Sequence, residues 1–384
     1  MFDWTQRLTR WQLGLIIGGF CLSLGLWFWL GWLQLHRFQI KTPSQTTSTS
    51  ITPTPSPTPD PLAPINVALL GFGGGSHQGG LLTDTIIVAK IKPKLHQVLL
   101  ISIPRDLWVE IPEASLSAKI NSAYALGFDT RRHLDQITGG KLAKTTLGQV
   151  LNQPIAYYAA VSFSSFENAI DSLGGVTLKV PMSFTDEFYP IEGKETESCD
   201  KSEAEIAALS ATLSGFSLEK QFGCRYEKLE FTAGTQTLDA AAALKFVRSR
   251  HSDTAGNDFN RSLRQQALIQ GIVQKLLTPS VWPKLPKLAS QILKSLDSDI
   301  TADQIGQWLL TFPNPQQYKL HSFNFNLENS LVASHSADGQ YILVPKPELG
   351  WSGLQQIVSD WEMAIATQAS QASQASQSAI QSGI

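Results

Sequence analysis

The stretch Ile65–Trp108, INVALLGFGGGSHQGGLLTDTIIVAKIKPKLHQVLLISIPRDLW, decides how the chain folds. INVALLGF is a short apolar run that ends in glycines, the pattern of a buried strand. TDTIIVAKI and QVLLISIP are β-branched runs on either side of KPKLH, which reads as a hairpin or two adjacent strands. Downstream, YYAAVSF and GGVTLKV flank SSFENAIDSLGG: a strand, a serine-capped helix, a glycine stop and another strand. TLDAAAALKFVRSR and NRSLRQQALIQGIVQKLL have helical spacing, as do segments near Val281–Leu296 and Thr301–Leu310, while QYILV is a strand. Strands interspersed with helices predict a mixed α/β (α+β) domain, with a single central mixed β-sheet flanked by helices, over residues 65–364.

Ahead of that domain, Trp11 to Leu35 contains no charged residue. A helix of that length spans roughly 30 Å of hydrocarbon. Trp4 and Trp11 sit at one end and Trp27, Trp29 and Trp32 at the other, where amphipathic rings favour the membrane interfaces. A cleaved signal peptide has a shorter apolar core and small residues at its cleavage site. GWLQLHRFQI follows here, so residues 11–35 read as a transmembrane signal anchor. Arg7 and Arg10 before it balance Arg37 and Lys41 after it, so the positive-inside count leaves orientation open. Residues 36–64 are rich in Thr, Pro and Ser and read as an extended spacer. Residues 365–384, with an Ala-Ser-Gln repeat, read as a disordered tail.

The chain carries 384 residues and a net charge of -2, so it has no global attraction for nucleic acid. Any anion site has to be built locally. Cys21 lies in the apolar helix; Cys199 and Cys224 are the only cysteines outside it. Neither has zinc-ligand spacing with a histidine. In an oxidising compartment they can pair and staple the helical segment between them, DKSEAEIAALSATLSGFSLEKQFG, within an insertion of about residues 190–226.

The stretch Phe246–Gln266, FVRSRHSDTAGNDFNRSLRQQ, gathers Arg248, Arg250, Arg261 and Arg264. In the helix after Asn260, Ile269, Ile272, Val273 and Leu276 share one face at 100° per residue, and Arg261 and Gln265 lie on or beside that face. A buried guanidinium needs partners. One reading is a structural ion pair with Asp253 or Asp258. The other is an anion site at the helix start, where backbone N–H groups and arginine forks suit phosphate. ISIPRDLWVEIP places Arg105 and Asp106 just after a buried strand, where α/β folds bind ligands. GFGGGSHQGGLLTDT lacks the P-loop lysine and leads to Asp84, which either caps a strand or serves as a magnesium ligand beside phosphate.

Four blocks in this order resemble the LytR-CpsA-Psr family of membrane-anchored cell-wall proteins: LTDTIIVAKIKPKLHQVLLISIPRDLWVEIP, AKINSAYALG, FENAIDSLGGVTLKVP and LDAAAALKFVRSRHSDTAGNDFNRSLRQQALI. The resemblance covers most of Asn66 to Leu277. It implies a phosphotransferase that moves a glycopolymer from a polyprenyl-pyrophosphate carrier to a wall acceptor, normally peptidoglycan. It also implies a cytoplasmic N-terminus, residues 1–10, an extracytoplasmic domain and a permissible Cys199–Cys224 disulfide. Position by position, it makes Arg105, Arg248, Arg250, Arg261 and Gln265 pyrophosphate-binding, Asp84 a Mg²⁺ ligand, and Asp258 a member of the NDF segment. Asp106 and Asp258 are the candidate proton acceptors, and LIQGIVQKLL is either core or one wall of a lipid groove. One departure stands out: Phe72 lies near where many members carry a second magnesium aspartate, and GFGGGSHQGG holds no carboxylate, only His77. Competing expectations are a non-catalytic protein that binds lipid-linked glycan and a polyprenyl-pyrophosphate hydrolase. The absence of a basic face argues against DNA contact.

Overall fold

The computed structural model describes residues 60, 62–74, 79–128, 138–252, 258–276, 278, 292, 295–311 and 317–382. The expected membrane span over 11–35, nearly all of the spacer and most of the helix expected over 281–296 lie outside them. Among the described residues no helix is long and apolar enough to cross a membrane.

The first half of the chain supplies β1 (Ile65–Phe72), β2 (Thr83–Lys92), β3 (Gln97–Ser102), the hairpin β4 (Trp108–Ile111) and β5 (Leu116–Lys119), α1 (Ser122–Leu126), α2 (Gly139–Leu151), β6 (Tyr157–Ser162) and α3 (Phe163–Ser172). Then come β7 (Val176–Val180), β8 (Phe184–Pro190), α4 (Glu203–Thr212), α5 (Gly215–Glu219), β9 (Tyr226–Phe231), β10 (Gly234–Leu238), α6 (Ala240–Arg248) and α7 (Asp258–Leu276). The chain closes with β11 (Asp297–Ser298), α8 (Ala302–Thr311), β12 (Lys319–Asn324), β13 (Leu331–His335), β14 (Tyr341–Pro345) and α9 (Gly350–Ser382).

The expected central sheet has six strands in the order β11-β6-β1-β2-β3-β12. β1, β2 and β3 are antiparallel neighbours; β6 runs parallel to β1, and β12 parallel to β3. Ile86 to Lys90 are buried without alternation, because the sheet is covered on both faces. On one face Ala68, Leu70, Val88 and Ile101 pack with Leu142 and Leu147 of α2 and Leu354 and Val358 of α9. On the other, Ile87, Ala89 and Leu100 meet Ile269 of α7. Successive residues Ile87 and Val88 thus serve opposite layers, as the pleat requires.

Two expectations fail. GGVTLKV does not join the central sheet: β7 pairs with β10 and helps build a second core that includes Ile170, Val176, Leu178, Phe184, Phe231, Phe246 and Leu268. Its ladder partner lies far along the chain, beyond the reach of local pattern. Residues 365–382, expected to be disordered, continue α9; Ala and Gln are good helix formers, and the core-packed first turns have already supplied the nucleus.

The connection between β8 and β9 holds α4 and α5, and Cys199 and Cys224 are disulfide-bonded with Cα atoms 5.5 Å apart. Ser202 and Glu205 form a capping box at the start of α4.

One ion cluster ties α9 to the sheet. Glu362 bonds Lys90, and its other oxygen lies 2.9 Å from Lys92 Nζ. The Lys90 and Glu362 side chains are only 4% and 10% exposed. Glu362→Gln leaves Lys90 buried without its counter-charge, so the midpoint of denaturant unfolding should fall by the equivalent of about 3 kcal/mol. Reduction of Cys199–Cys224 should speed tryptic cleavage after Lys220 while leaving the far-UV circular dichroism of the domain intact.

Candidate functional site

The carboxyl ends of β1, β3 and β6 lie along one edge of the central sheet, because Phe72 pairs with both Thr83 and Ser162 while Ser102 pairs with Ile87. Ligands in α/β sheets bind beyond such ends. β2 begins at this edge and presents Asp84. Arg105, three residues past β3, sends Nη1 to the Asp84 carboxylate. The two side chains are 28% and 44% exposed, so the pair is open to solvent. The turn that carries Arg105 is held by Asn121, whose N–H donates to the Arg105 carbonyl at 3.3 Å. The Asn121 carbonyl in turn accepts from Thr83 N–H at 3.0 Å. Asp106 faces elsewhere: it accepts from Lys119 Nζ at 2.7 Å and lies 3.6 Å from Arg105 Nε. Asp106 thus sits between two cations, a geometry that suits holding Arg105.

α7 crosses the sheet and brings its first turns to the same edge. Gln265 Nε2 donates to Thr85 Oγ1 at 2.9 Å, next to Asp84. Arg261 stands four residues earlier on the same helix face and is half-buried. The buried stripe is only in part the one the spacing suggested. Arg264, Gln265, Gln266, Ala267, Leu268 and Gly271 are buried, whereas Val273 is 38% exposed. Gly271 sets this rotation: a Cβ there would sit 2.7 Å from the Thr177 carbonyl, so α7 leans directly on β7. LIQGIVQKLL therefore serves mainly as core, with Leu268 and Ile272 in the second cluster and Ile269 against the sheet. Asp258 lies in the first turn of α7, with its side chain outside the described residues. Asp253, Asn257 and His77 also lie outside them, so the ion-pair reading of Arg261 falls there.

α6 delivers the remaining arginines. The Arg248 guanidinium carbon lies 4.0 Å from the Phe163 ring centroid and 5.7 Å from that of Tyr189, a cation–π cradle. Phe163 directly follows β6, so Arg248 is anchored beside the sheet edge. Burial raises the Tyr189 hydroxyl pKa, against the opposing charge of Arg248. Arg250 is half-buried, and its backbone N–H donates to Asp186 at 3.1 Å. The next ring, His251, stacks on Phe216 of the insertion with centroids 3.9 Å apart. Burial lowers its pKa. The insertion thus touches the arginine loop directly.

Arg264, named in the arginine cluster but given no role there, and several other contributors went unassigned in the sequence. Arg264 is 2% exposed; its Nε donates to the Phe246 carbonyl at 3.0 Å, and Nη2 bonds the Ser249 carbonyl. Burial lowers its pKa to about 10, Arg261 adds to that and Asp186 opposes it, so it stays charged at neutral pH. Asp186 is fully buried. Thr85, Lys119 and Phe163 are ordinary residues in pattern terms, and nothing in TDEFYP marks Asp186. Gly271 within an otherwise helical run was the one legible signal of close approach. The arrangement offers guanidinium forks, an amide and two carboxylates. Among the described residues no three metal-ligating side chains cluster. Such a donor set suits phosphate groups.

The LytR_cpsA_psr family model matches residues 36–349. A polyisoprenyl-teichoic acid–peptidoglycan teichoic acid transferase, TagU, of Enterococcus faecalis is 26% identical over 253 residues, 65% of this chain and 66% of its own length. TagU of Bacillus cereus is 26% identical over 242 residues, 63% of this chain and 62% of its own. The chain thus spans less than two thirds of these relatives' length. The solved structure of B. subtilis TagV superposes with a TM-score of 0.53 at 19% identity, covering 78% of this chain and 97% of that one, which shows a common fold. With the four sequence blocks and the family match over residues 36–349, the chain belongs to the LytR-CpsA-Psr family.

Proposed function

We propose that the protein is a membrane-anchored phosphotransferase that moves a glycopolymer from a polyprenyl-pyrophosphate carrier to a peptidoglycan or other wall hydroxyl. The observation that carries this reading is the placement of Arg105, Arg248 and the Gln265 turn of α7 at one sheet edge. The activity named for the TagU relatives supports it. The Cys199–Cys224 disulfide supports an extracytoplasmic domain, and with it a cytoplasmic N-terminus ahead of the anchor at residues 11–35.

In this reading the acceptor sugar oxygen attacks the glycan-side phosphorus. A new O–P bond forms, the bond to the bridging oxygen breaks, and polyprenyl phosphate leaves. Charge spreads over the phosphoryl oxygens in the transition state. Preorganised donors aimed at that charge lower the barrier, the role given to Arg105, Arg248, Arg250, Arg261 and Gln265. Asp106 holds Arg105, which leaves Asp258 as the candidate to accept the hydroxyl proton.

Magnesium fits a single half-open carboxylate. Mg²⁺ keeps several waters and uses one or two carboxylates plus substrate phosphates, and Asp84 is 44% exposed at the edge. Asp84 would hold the ion, which would supply charge neutralisation on the pyrophosphate. With Phe72 near the position of the family's second aspartate, the remaining ligands would have to come from phosphate oxygens and water.

The test incubates the full chain, purified in detergent, with a polyprenyl-pyrophosphoryl sugar, Mg²⁺ and a peptidoglycan oligosaccharide. Mass spectrometry should find a phosphodiester-linked product, and Arg261→Ala should reduce its rate by about 100-fold or more. Release of sugar phosphate without acceptor product would mean hydrolysis; tight binding with neither would mean a binding protein. Asp84→Asn should raise the Mg²⁺ concentration for half-maximal rate about tenfold, measured by titration into metal-free protein.

A further inference from the structure

Asp186 and Arg264 are opposite charges, 0% and 2% exposed, and neither has a place in the chemistry just described. They meet at one residue. Asp186 Oδ2 accepts from Ser249 Oγ at 2.7 Å, Arg250 N–H at 3.1 Å and His251 N–H at 3.2 Å. Its other oxygen accepts from Phe188 N–H at 3.0 Å. Arg264 works on the acceptor side of the same backbone, donating to the Phe246 and Ser249 carbonyls. Its guanidinium carbon lies 4.6 Å from the Phe184 ring centroid. So Asp186 takes the outgoing N–H groups where α6 ends, and Arg264 satisfies carbonyls that the helix end leaves unpaired.

The clamped segment, Phe246–His251, contains Arg248 and Arg250. Two residues carry one arginine out of the last turn of α6 and the other into the loop beyond. A loop with free N–H and C=O groups would sample many conformations; here both sets are bound to buried charges that cannot move without desolvated loss. We infer that Asp186 and Arg264 are a positioning pair: they fix the backbone from which Arg248 and Arg250 reach a pyrophosphate. The inference rests on the reading of those arginines as a pyrophosphate site.

The pair has a further geometric consequence. Asp186 stands on β8, the strand that leads into the disulfide-closed insertion, and Phe216 of that insertion stacks on His251. Arg264 stands on α7 one turn after Arg261 and next to Gln265. One clamp therefore registers α6, α7 and β8 against each other, and the arginines of two helices keep a fixed mutual spacing.

The test titrates inorganic pyrophosphate into the full chain in detergent by calorimetry, well below the unfolding transition. Native protein and Arg261→Ala are compared with Asp186→Asn, Arg264→Lys and Ser249→Ala, which removes only one donor to Asp186. Leu354→Ala, in the core on the opposite sheet face, serves as an equally destabilised control. The pair predicts that Asp186→Asn and Arg264→Lys each weaken binding about tenfold or more, that Ser249→Ala weakens it about threefold, and that Leu354→Ala binds as the native protein does. If Asp186→Asn fails to fold, Ser249→Ala and Arg264→Lys carry the same prediction. Native affinity in all three, with Arg261→Ala weakened, overturns the positioning pair alone. Equal loss in Leu354→Ala also overturns it, since destabilisation then suffices. Native affinity in Arg261→Ala overturns the pyrophosphate reading and the pair with it.

Discussion

A guanidinium enclosed to 2% exposure must find acceptors or cost several kcal/mol. Arg264 finds them in the carbonyls at the end of α6, and much else is arranged around that bond. Together with the close approach of Gly271 to β7 it fixes the rotation of α7, so the polar residues of its first turns lie under the structure and not on its surface. It joins the second core, where Phe246 and Leu268 pack, to the sheet face where Ile269 packs. It also brings a positive charge within the influence of Arg261, which helps depress its pKa. A hydrophobic residue at this position would pack more cheaply, so the charge is tied to the loop it holds.

The central sheet supplies the complementary constraint. Antiparallel β1, β2 and β3 are flanked by parallel β6 and β12, so several carboxyl ends converge on one edge. Arg105 and Asp84 arrive there from adjacent strands and neutralise each other while the site is open. An exposed pair of this kind is worth little to stability and is easily exchanged for a phosphate contact. The buried Lys90–Glu362 pair lies toward the other end of β2 and does the opposite, locking α9 down. Ion pairs of the same chemistry thus divide into a loose one at the site and a tight one in the scaffold.

Much of this was legible. The β-branched runs gave β1, β2 and β3 nearly residue by residue, and α3 is serine-capped as expected, although the cap is Ser162, in the run read as strand, and not a serine of SSFENAIDSLGG. The two cysteines that pair between β8 and β9 were also readable. What local pattern does not carry is partnership at a distance. β7 pairs with β10, distant in sequence, and not with a strand of the central sheet. The stripe of α7 was misjudged because apolar spacing placed Val273 inward, while Gly271 and the buried Arg264 turn the helix another way. Asp186 belongs to no motif; its role comes from four donors that the fold assembles around it. Asp106, beside Arg105 in sequence, gives no sign there of its ion pair with Lys119, which the β4–β5 hairpin brings to it.

The central claim is that this sheet edge receives two adjacent phosphates. The most direct measurement is a crystal structure of the chain with a short polyprenyl pyrophosphate and Mg²⁺. The account predicts pyrophosphate density between Arg105 and the Arg261–Gln265 turn, with Arg248 and Arg250 turned toward it and the metal at Asp84. Density at another surface, with Arg105 still paired to Asp84 and the α6–α7 arginines unchanged, would contradict it.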